Sequence, residues 1–154
     1  MTAGVSAAAP VSEFQRIYSG RLWSVMSWNQ LTALWQRIDP AAGWYLQAVG
    51  LTPETEVAPA DAATVAAFIK RIDSLLREDH REAYCGIVYA DDLEHPNLIK
   101  IYDPNNLGSS CGSSKNPPPP GWIMSRIAPD GVISARPVTE SRRRWWQALT
   151  GLGR

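Results

Sequence analysis

The sequence predicts a single α+β domain with N-terminal helices packed on a mostly antiparallel sheet of about four or five strands. Two observations indicate this fold class. Apolar residues recur at helical spacing in the first half of the chain, and the second half carries short runs rich in aromatic and β-branched residues between turn signals. No internal repeat is visible, which excludes a solenoid. We expect the helices to cover one face of the sheet.

The composition supports one folded unit. The chain has 154 residues, of which 45% are apolar and seven are tryptophan, enough to build a core. Fifteen basic residues balance fifteen acidic ones, so no overall field attracts nucleic acid or an anionic membrane. We expect a flexible leader over residues 1–12, the domain over residues 13–140, and a basic, tryptophan-rich C-terminal segment over residues 141–154.

The N-terminus has neither the basic region nor the apolar region of a signal peptide. No window approaches the roughly 18 to 20 apolar residues of a membrane span. These features predict a cytoplasmic protein without a transmembrane segment. In that compartment thiols stay reduced, so Cys85 and Cys111 are expected to be free thiols.

Three helices are predicted in the first half of the chain. The first covers residues 13–19. The second begins after Ser27, a good N-cap, and stops before Asp39-Pro40. The third begins after Asp61 and runs to about His80.

The third helix has the clearest apolar stripe in the chain. Its members are Val65, Phe68, Ile69, Ile72, Leu75 and Leu76. We expect Phe68 and Ile72 to face the sheet.

Strands are predicted over residues 44–49, 83–89, 98–102 and 122–127, and residues 132–135 form a further candidate after a Pro-Asp-Gly turn. For residues 44–49, a helical continuation is the alternative. In the run LIKIY, alternation places two isoleucines on one face, with Lys100 and Tyr102 on the other. Such a pattern predicts one buried and one solvated face.

The segment DPNNLGSSCGSSKNPPPPGW, residues 103–122, is predicted to be an ordered, exposed loop between two strands. It resembles a phosphate-binding loop only superficially, because four prolines follow its lysine where a helix would have to begin. The prolines favour a stiff rod, which is either a spacer or a means of presenting a recognition loop. We expect partner contacts from Asn105, Asn106, Ser110, Cys111, Ser113, Lys115, Pro118 and Trp122.

Cys111 is the basis of an alternative interpretation, a cysteine-dependent enzyme catalysing acyl or thiol transfer. Such an enzyme needs a base near the sulfur, and the chain offers only His80 and His95. His80 is also explained as a helix-terminal residue and His95 as part of a hairpin tip. The first interpretation therefore assigns no catalytic residue.

The two cysteines and two histidines lack the close pairs of a zinc site, so no metal and no cofactor are predicted. Cys85 is expected to be a small residue of the core.

The C-terminal run SRRRWWQALTGLGR predicts a short helix ended by Gly151. Its Arg143, Trp145 and Trp146 suit a partner groove, a membrane interface or a nucleic-acid backbone. Packing back on the domain is the other interpretation, because tryptophans are usually buried. If the tail is an interface, deletion of residues 142–154 is expected to leave the domain folded and to weaken partner binding.

These observations favour a non-catalytic accessory or regulatory protein. It is expected to bind a protein partner through the 103–122 loop and the C-terminal tail. Nucleic acid is not expected as a ligand, because the chain has no net charge.

Overall fold

The computed structural model describes residues 12–51, 58–80, 82, 85–104, 119–130 and 139–150. Its helices are α1 (Glu13–Tyr18), α2 (Trp28–Gln36), α3 (Ala62–Asp79) and α4 (Glu140–Thr150). Its strands are β1 (Trp23–Ser24), β2 (Tyr45–Ala48), β3 (Val88–Ala90), β4 (Leu98–Ile101) and β5 (Trp122–Ser125). The predicted α+β class is confirmed.

The strands form one sheet in the order β1-β3-β4-β5-β2, and every neighbouring pair is antiparallel. β4 lies at its centre. The connection from β4 to β5 contains the proline-rich loop, whose two ends therefore emerge from adjacent central strands at the same end of the sheet.

The predicted helix starts are confirmed by their caps. The Ser27 side chain accepts a hydrogen bond from the Gln30 N–H at 3.0 Å, and the Asp61 carboxylate accepts one from the Thr64 N–H at 2.8 Å. Each cap satisfies a backbone donor that the first helical turn leaves open. α2 ends at Gln36, earlier than the Asp-Pro stop signal.

The main core lies between one face of the sheet and the helices α2, α3 and α4. Phe68 and Ile72 of α3 are fully buried there, as predicted. The sheet contributes Ile99, Ile101 and Met124, among others, to the same apolar cluster. Alternate residues of a strand point to the same face of a sheet, and on this face those residues are apolar.

α1 packs on the opposite face of the sheet, so the helices are not confined to one face as expected. Phe14 of α1 forms a second apolar cluster with Leu98 and Ile123. These two strand residues alternate with Ile99 and Met124 of the main core, which places them on the other side. The face predicted to be wet is therefore partly covered.

The strand predicted over residues 83–89 begins later than expected, as β3. Pairing starts at Val88, and Gly86 just before it has φ of +69°, outside the β region. Of the predicted range 83–89, residues 83 and 84 lie outside the described residues, as does the hairpin candidate at 132–135.

Candidate functional site

The ends of the proline-rich loop form a close-packed stem, by which we mean Asp103 and Gly121. The Gly121 N–H donates to the Ile101 carbonyl at 2.8 Å, and the Gly121 carbonyl accepts from the Val49 N–H at 2.9 Å. A Cβ atom on Gly121 would lie 3.1 Å from the Asp103 Cβ. The glycine therefore permits the two ends of the loop to touch.

α4 begins beside this stem. Thr139 precedes its first residue, and the Thr139 hydroxyl accepts a hydrogen bond from the Arg142 N–H at 3.3 Å. Threonine suits this position because its oxygen caps an open donor of the first turn. The predicted C-terminal helix is confirmed, and its predicted end at Gly151 lies outside the described residues.

Arg142 joins α4 to the loop stem and to α3. Its Nε and Nη2 atoms donate to the two Asp103 carboxylate oxygens at 2.8 and 3.0 Å, and Nη2 also lies 2.7 Å from the Asp79 carboxylate. The guanidinium lies 5.8 Å from the centre of the Trp122 ring. Asp103 is only 5% exposed, so this two-point ion pair is largely shielded from water.

These contacts change the Arg142 pKa. The largest effect comes from the hydrogen bonds that Arg142 donates to Asp103, which raise the pKa; burial opposes this shift, and the contact with Asp79 raises the pKa further. The guanidinium therefore keeps its positive charge at the stem.

Tryptophans connect α4 to the core beneath the stem. The Trp145 ring lies 5.6 Å from the Trp122 ring, and the Trp146 ring lies 6.0 Å edge-on to Phe68. Trp122 is 3% exposed and Trp146 is 6% exposed, whereas Trp145 is half-buried. The tail thus packs on its own domain. Trp122 and Trp146, expected as partner contacts, are core residues in this arrangement.

The outer side of α4 carries Glu140, Arg143, Arg144, Gln147 and Ala148, all exposed. Their helical spacing places them together, away from the inward residues Arg142 and Trp146. Of the predicted tail contacts, Arg143 is therefore available at the surface.

The other predicted loop contacts lie outside the described residues: Asn105, Asn106, Ser110, Cys111, Ser113, Lys115 and Pro118. What the structure does establish is that their stem adjoins α4.

The two histidines of the alternative interpretation have local structural roles. His80 is the C-cap residue of α3, where its N–H donates to the Leu76 carbonyl at 2.9 Å, and its ring lies 6.0 Å from that of Trp28. His95 is exposed in the β3–β4 turn, and its N–H donates to Asp92 at 3.1 Å.

Cys85 is fully buried, as expected of a core residue, and burial raises its thiol pKa. In the described ranges, no three histidine, cysteine or acidic residues are grouped to hold a metal ion. None of the helices described there is long and apolar enough to cross a membrane.

Sequence reasoning missed a polar cluster on the second face of the sheet. Lys100 and Tyr89 are opposite each other on β4 and β3, and the Tyr18 ring of α1 covers the lysine. Burial lowers the Lys100 pKa to about 8 and raises the Tyr18 pKa to about 12, with a smaller contribution to the latter from Tyr102. The alternation in LIKIY was the available signal, but it did not show that α1 lies above it.

It also missed an exposed aromatic residue on β1. Trp23 is 50% exposed, Met26 is also exposed, and the Arg21 guanidinium lies 5.8 Å from the Trp23 ring. A two-residue strand has too few residues to show a period in the sequence.

Comparison of the chain with protein-family models, with curated proteins and with solved structures gave no match.

Proposed function

We propose that this chain is a non-catalytic, cytoplasmic accessory or regulatory protein that binds a protein partner through the 103–122 loop and the C-terminal helix. The observation that supports this proposal most is the adjacency of the two segments. Arg142 of α4 holds Asp103 at the start of the loop, and Trp145 packs against Trp122 at its end. Two segments remote in sequence thereby adjoin and can contribute to one surface.

The stem also explains how such a loop is presented. Its ends are held by backbone hydrogen bonds to Ile101 of β4 and to Val49, which follows β2, and by the ion pair to α4. Pro120 is buried and Pro119 is half-buried, so the end of the proline run is part of the packed structure. A loop anchored at both ends has less conformational freedom to lose on binding, which reduces the ordering cost.

The buried tryptophans contribute indirectly in this proposal. They fix the direction of α4, so that its outer side faces solvent beside the stem. The direct contacts then come from the loop and from exposed α4 residues such as Arg143. Arginine is enriched at protein interfaces because one side chain supplies several donors and a flat contact surface.

A quantitative affinity purification tests this proposal. The tagged native protein is compared with a variant in which residues 105–118 are replaced by a glycine-serine segment of equal length, leaving Asp103, Gly121 and α4 unchanged. We expect the variant to lose specific partners while its near-ultraviolet circular dichroism and melting temperature change little, because the core residues that the structure describes lie outside the replaced segment.

A matched control replaces exposed Arg16 on α1 by serine, on the opposite face of the sheet. This control is expected to retain every partner. If the loop variant retains them as well, or if the native protein recovers no protein in excess of an unrelated tagged domain, the proposed function is wrong.

A further inference from the structure

The outer side of α4 carries positive charge that its own domain neutralises only in part. Arg142 forms ion pairs with two aspartates. Arg143 forms only a 4.0 Å ion pair with Glu140, in which both side chains are well exposed. The structure gives exposed Arg144 no ion pair among the described residues. Exposed surface pairs of this kind contribute little, so both guanidiniums remain open to another acceptor.

The flank of α3 beside α4 adds to this charge. The Arg71 guanidinium lies 6.0 Å from the centre of the Trp145 ring, which places it at the boundary between the two helices. Lys70 precedes it, and both residues are exposed. Arg71 and the neighbouring Lys70 thus add exposed positive charge on α3 to that of Arg143 and Arg144 on α4.

We propose that the protein partner presents aspartate or glutamate carboxylates to Arg143 and Arg144. This inference rests on the proposed function and specifies the chemistry of its partner. Carboxylates fit because a guanidinium donates two parallel hydrogen bonds to the two oxygens of one carboxylate. Burial of Arg143 and Arg144 at the contact would make these pairs stronger than they are in open solvent.

A protein surface fits this site better than nucleic acid. Sites that bind single-stranded nucleic acid combine cations with exposed aromatic rings on which bases stack. Here Trp146 is buried against Phe68 and Trp145 packs against Trp122, so the aromatic side of α4 is directed into the domain. The formal net charge of the whole chain is zero, which further weakens any attraction to a phosphate backbone.

Site-specific cross-linking tests the inference. Gln147, exposed on the same side of α4, is replaced by p-benzoyl-phenylalanine, the native cells are irradiated, and the cross-linked peptide is sequenced by mass spectrometry. We expect a peptide with acidic residues within a few positions of the cross-link. The double variant Arg143→Glu/Arg144→Glu should reduce the yield about tenfold or more, because each arginine would be replaced by a like charge facing the partner.

A charge exchange makes the test specific. Replacing the partner's identified acidic residues by lysine should restore binding to the double variant, whereas Arg16→Glu on α1 should leave the cross-link unchanged. A cross-link to a peptide without acidic residues, or an unchanged yield in the double variant, would overturn the inference.

Two further probes address other anions. The purified protein is mixed separately with a 20-base-pair DNA duplex and with phosphatidylserine vesicles. If the native protein binds either probe and the double variant does not, the inference is also overturned. The proposed function is judged separately, since its loop variant loses partners whatever the chemistry at α4. If only the cross-linking experiment at Gln147 fails, the acidic-partner inference is wrong and the proposed function is unaffected.

Discussion

The Nζ atom of Lys100 lies 3.8 Å from the centre of the Tyr18 ring, so a cation–π contact joins β4 to α1. The contact lies on the second face of the sheet, where Phe14 anchors the same helix. Burial lowers the Lys100 pKa to about 8, because the charged amine loses solvation at this position.

This lysine predicts an alkaline gain in stability. Unfolded Lys100 titrates near 10.5 and folded Lys100 near 8, so the unfolded state binds more protons between these values. The free energy of unfolding should therefore rise with pH through that window. Urea titrations at several pH values measure this free energy for the native protein and for Lys100→Met. We expect the native protein to gain stability relative to the variant as the pH rises through the window. Parallel curves for the two proteins would contradict the environment described for Lys100.

Tyr18 predicts a loss of stability at higher pH. Its folded pKa is raised from 10.0 to about 12 by burial, so its neutral phenol stabilises the fold below pH 10 and this contribution disappears as the pH rises through 12. Tyr18→Phe keeps the ring over Lys100 and removes the phenol. Its stability should fall less steeply than that of the native protein, though still measurably, because burial also raises the Tyr102 pKa. An equally steep fall would show that Tyr18 is not the group responsible.

Phe68 is the central packing residue of α3. It is fully buried and contacts both Trp145 and Trp146. Phe68→Ala should lower the free energy of unfolding by about 3 to 5 kcal/mol, because it removes buried apolar surface and leaves a cavity. Denaturant titration measures the loss, and exposed Ala67→Ser provides a control on the neighbouring position. A loss under about 1 kcal/mol would contradict the packing.

The sequence predicted elements whose signals are local. Ser27 and Asp61 marked helix starts through capping, and the stripe containing Phe68 marked the buried side of α3. Both signals depend on residues a few positions apart, so they are visible without tertiary structure. The same holds for β4, whose predicted range differs by one residue at its C-terminal end.

Features that depend on remote contacts were not predictable. Arg142 meets Asp103 and Asp79 across 39 and 63 positions of the chain, and nothing in the RRR run distinguishes it from its neighbours. The same composition suits a buried tail or an interface, and only the packing of Trp146 on Phe68 distinguishes the two. The placement of α1 on the second face of the sheet is equally a tertiary property.

The Arg142–Asp103 pair should be important for stability. Arg142→Met removes the guanidinium and leaves the nearly buried Asp103 carboxylate without that partner, so a loss of about 3 to 5 kcal/mol is expected. Arg142→Lys keeps the charge and cannot reproduce the two-point geometry, so its loss should be intermediate. The double variant Arg142→Met/Asp103→Asn should lose less than the sum of the single variants, as measured in a double-mutant cycle. Strictly additive losses would contradict the coupling.

The burial of Trp146 changes the expected result of deleting the tail. Removal of residues 142–154 takes away Trp146 and Arg142 together, so the remaining chain should lose stability and near-ultraviolet circular dichroism from its tryptophans. Because this deletion also disturbs the fold, a loss of partner binding in the truncated protein does not identify the tail as an interface. The matched control removes residues 151–154 only and should melt near the full chain. An unchanged melting temperature for the longer deletion would show that α4 adds nothing to the core.

The two thiols separate the binding proposal from the cysteine-enzyme alternative. Cys85 is fully buried and burial raises its pKa, so in Cys111→Ser, where it is the sole thiol, iodoacetamide should label it only after denaturation. Cys111→Ser should also retain the fold and the partner, because a binding loop needs no thiolate.

The converse variant, Cys85→Ala, leaves Cys111 as the sole thiol, and the pH dependence of its labelling reports its pKa. A non-catalytic loop predicts a midpoint near the unperturbed value of roughly 8.5, because only an activated nucleophile requires a depressed one. A midpoint well below this value, together with loss of activity in cells for Cys111→Ser while partner binding persists, would assign the chemistry to the sulfur. That combination would overturn the non-catalytic proposal, since binding alone does not require a thiolate.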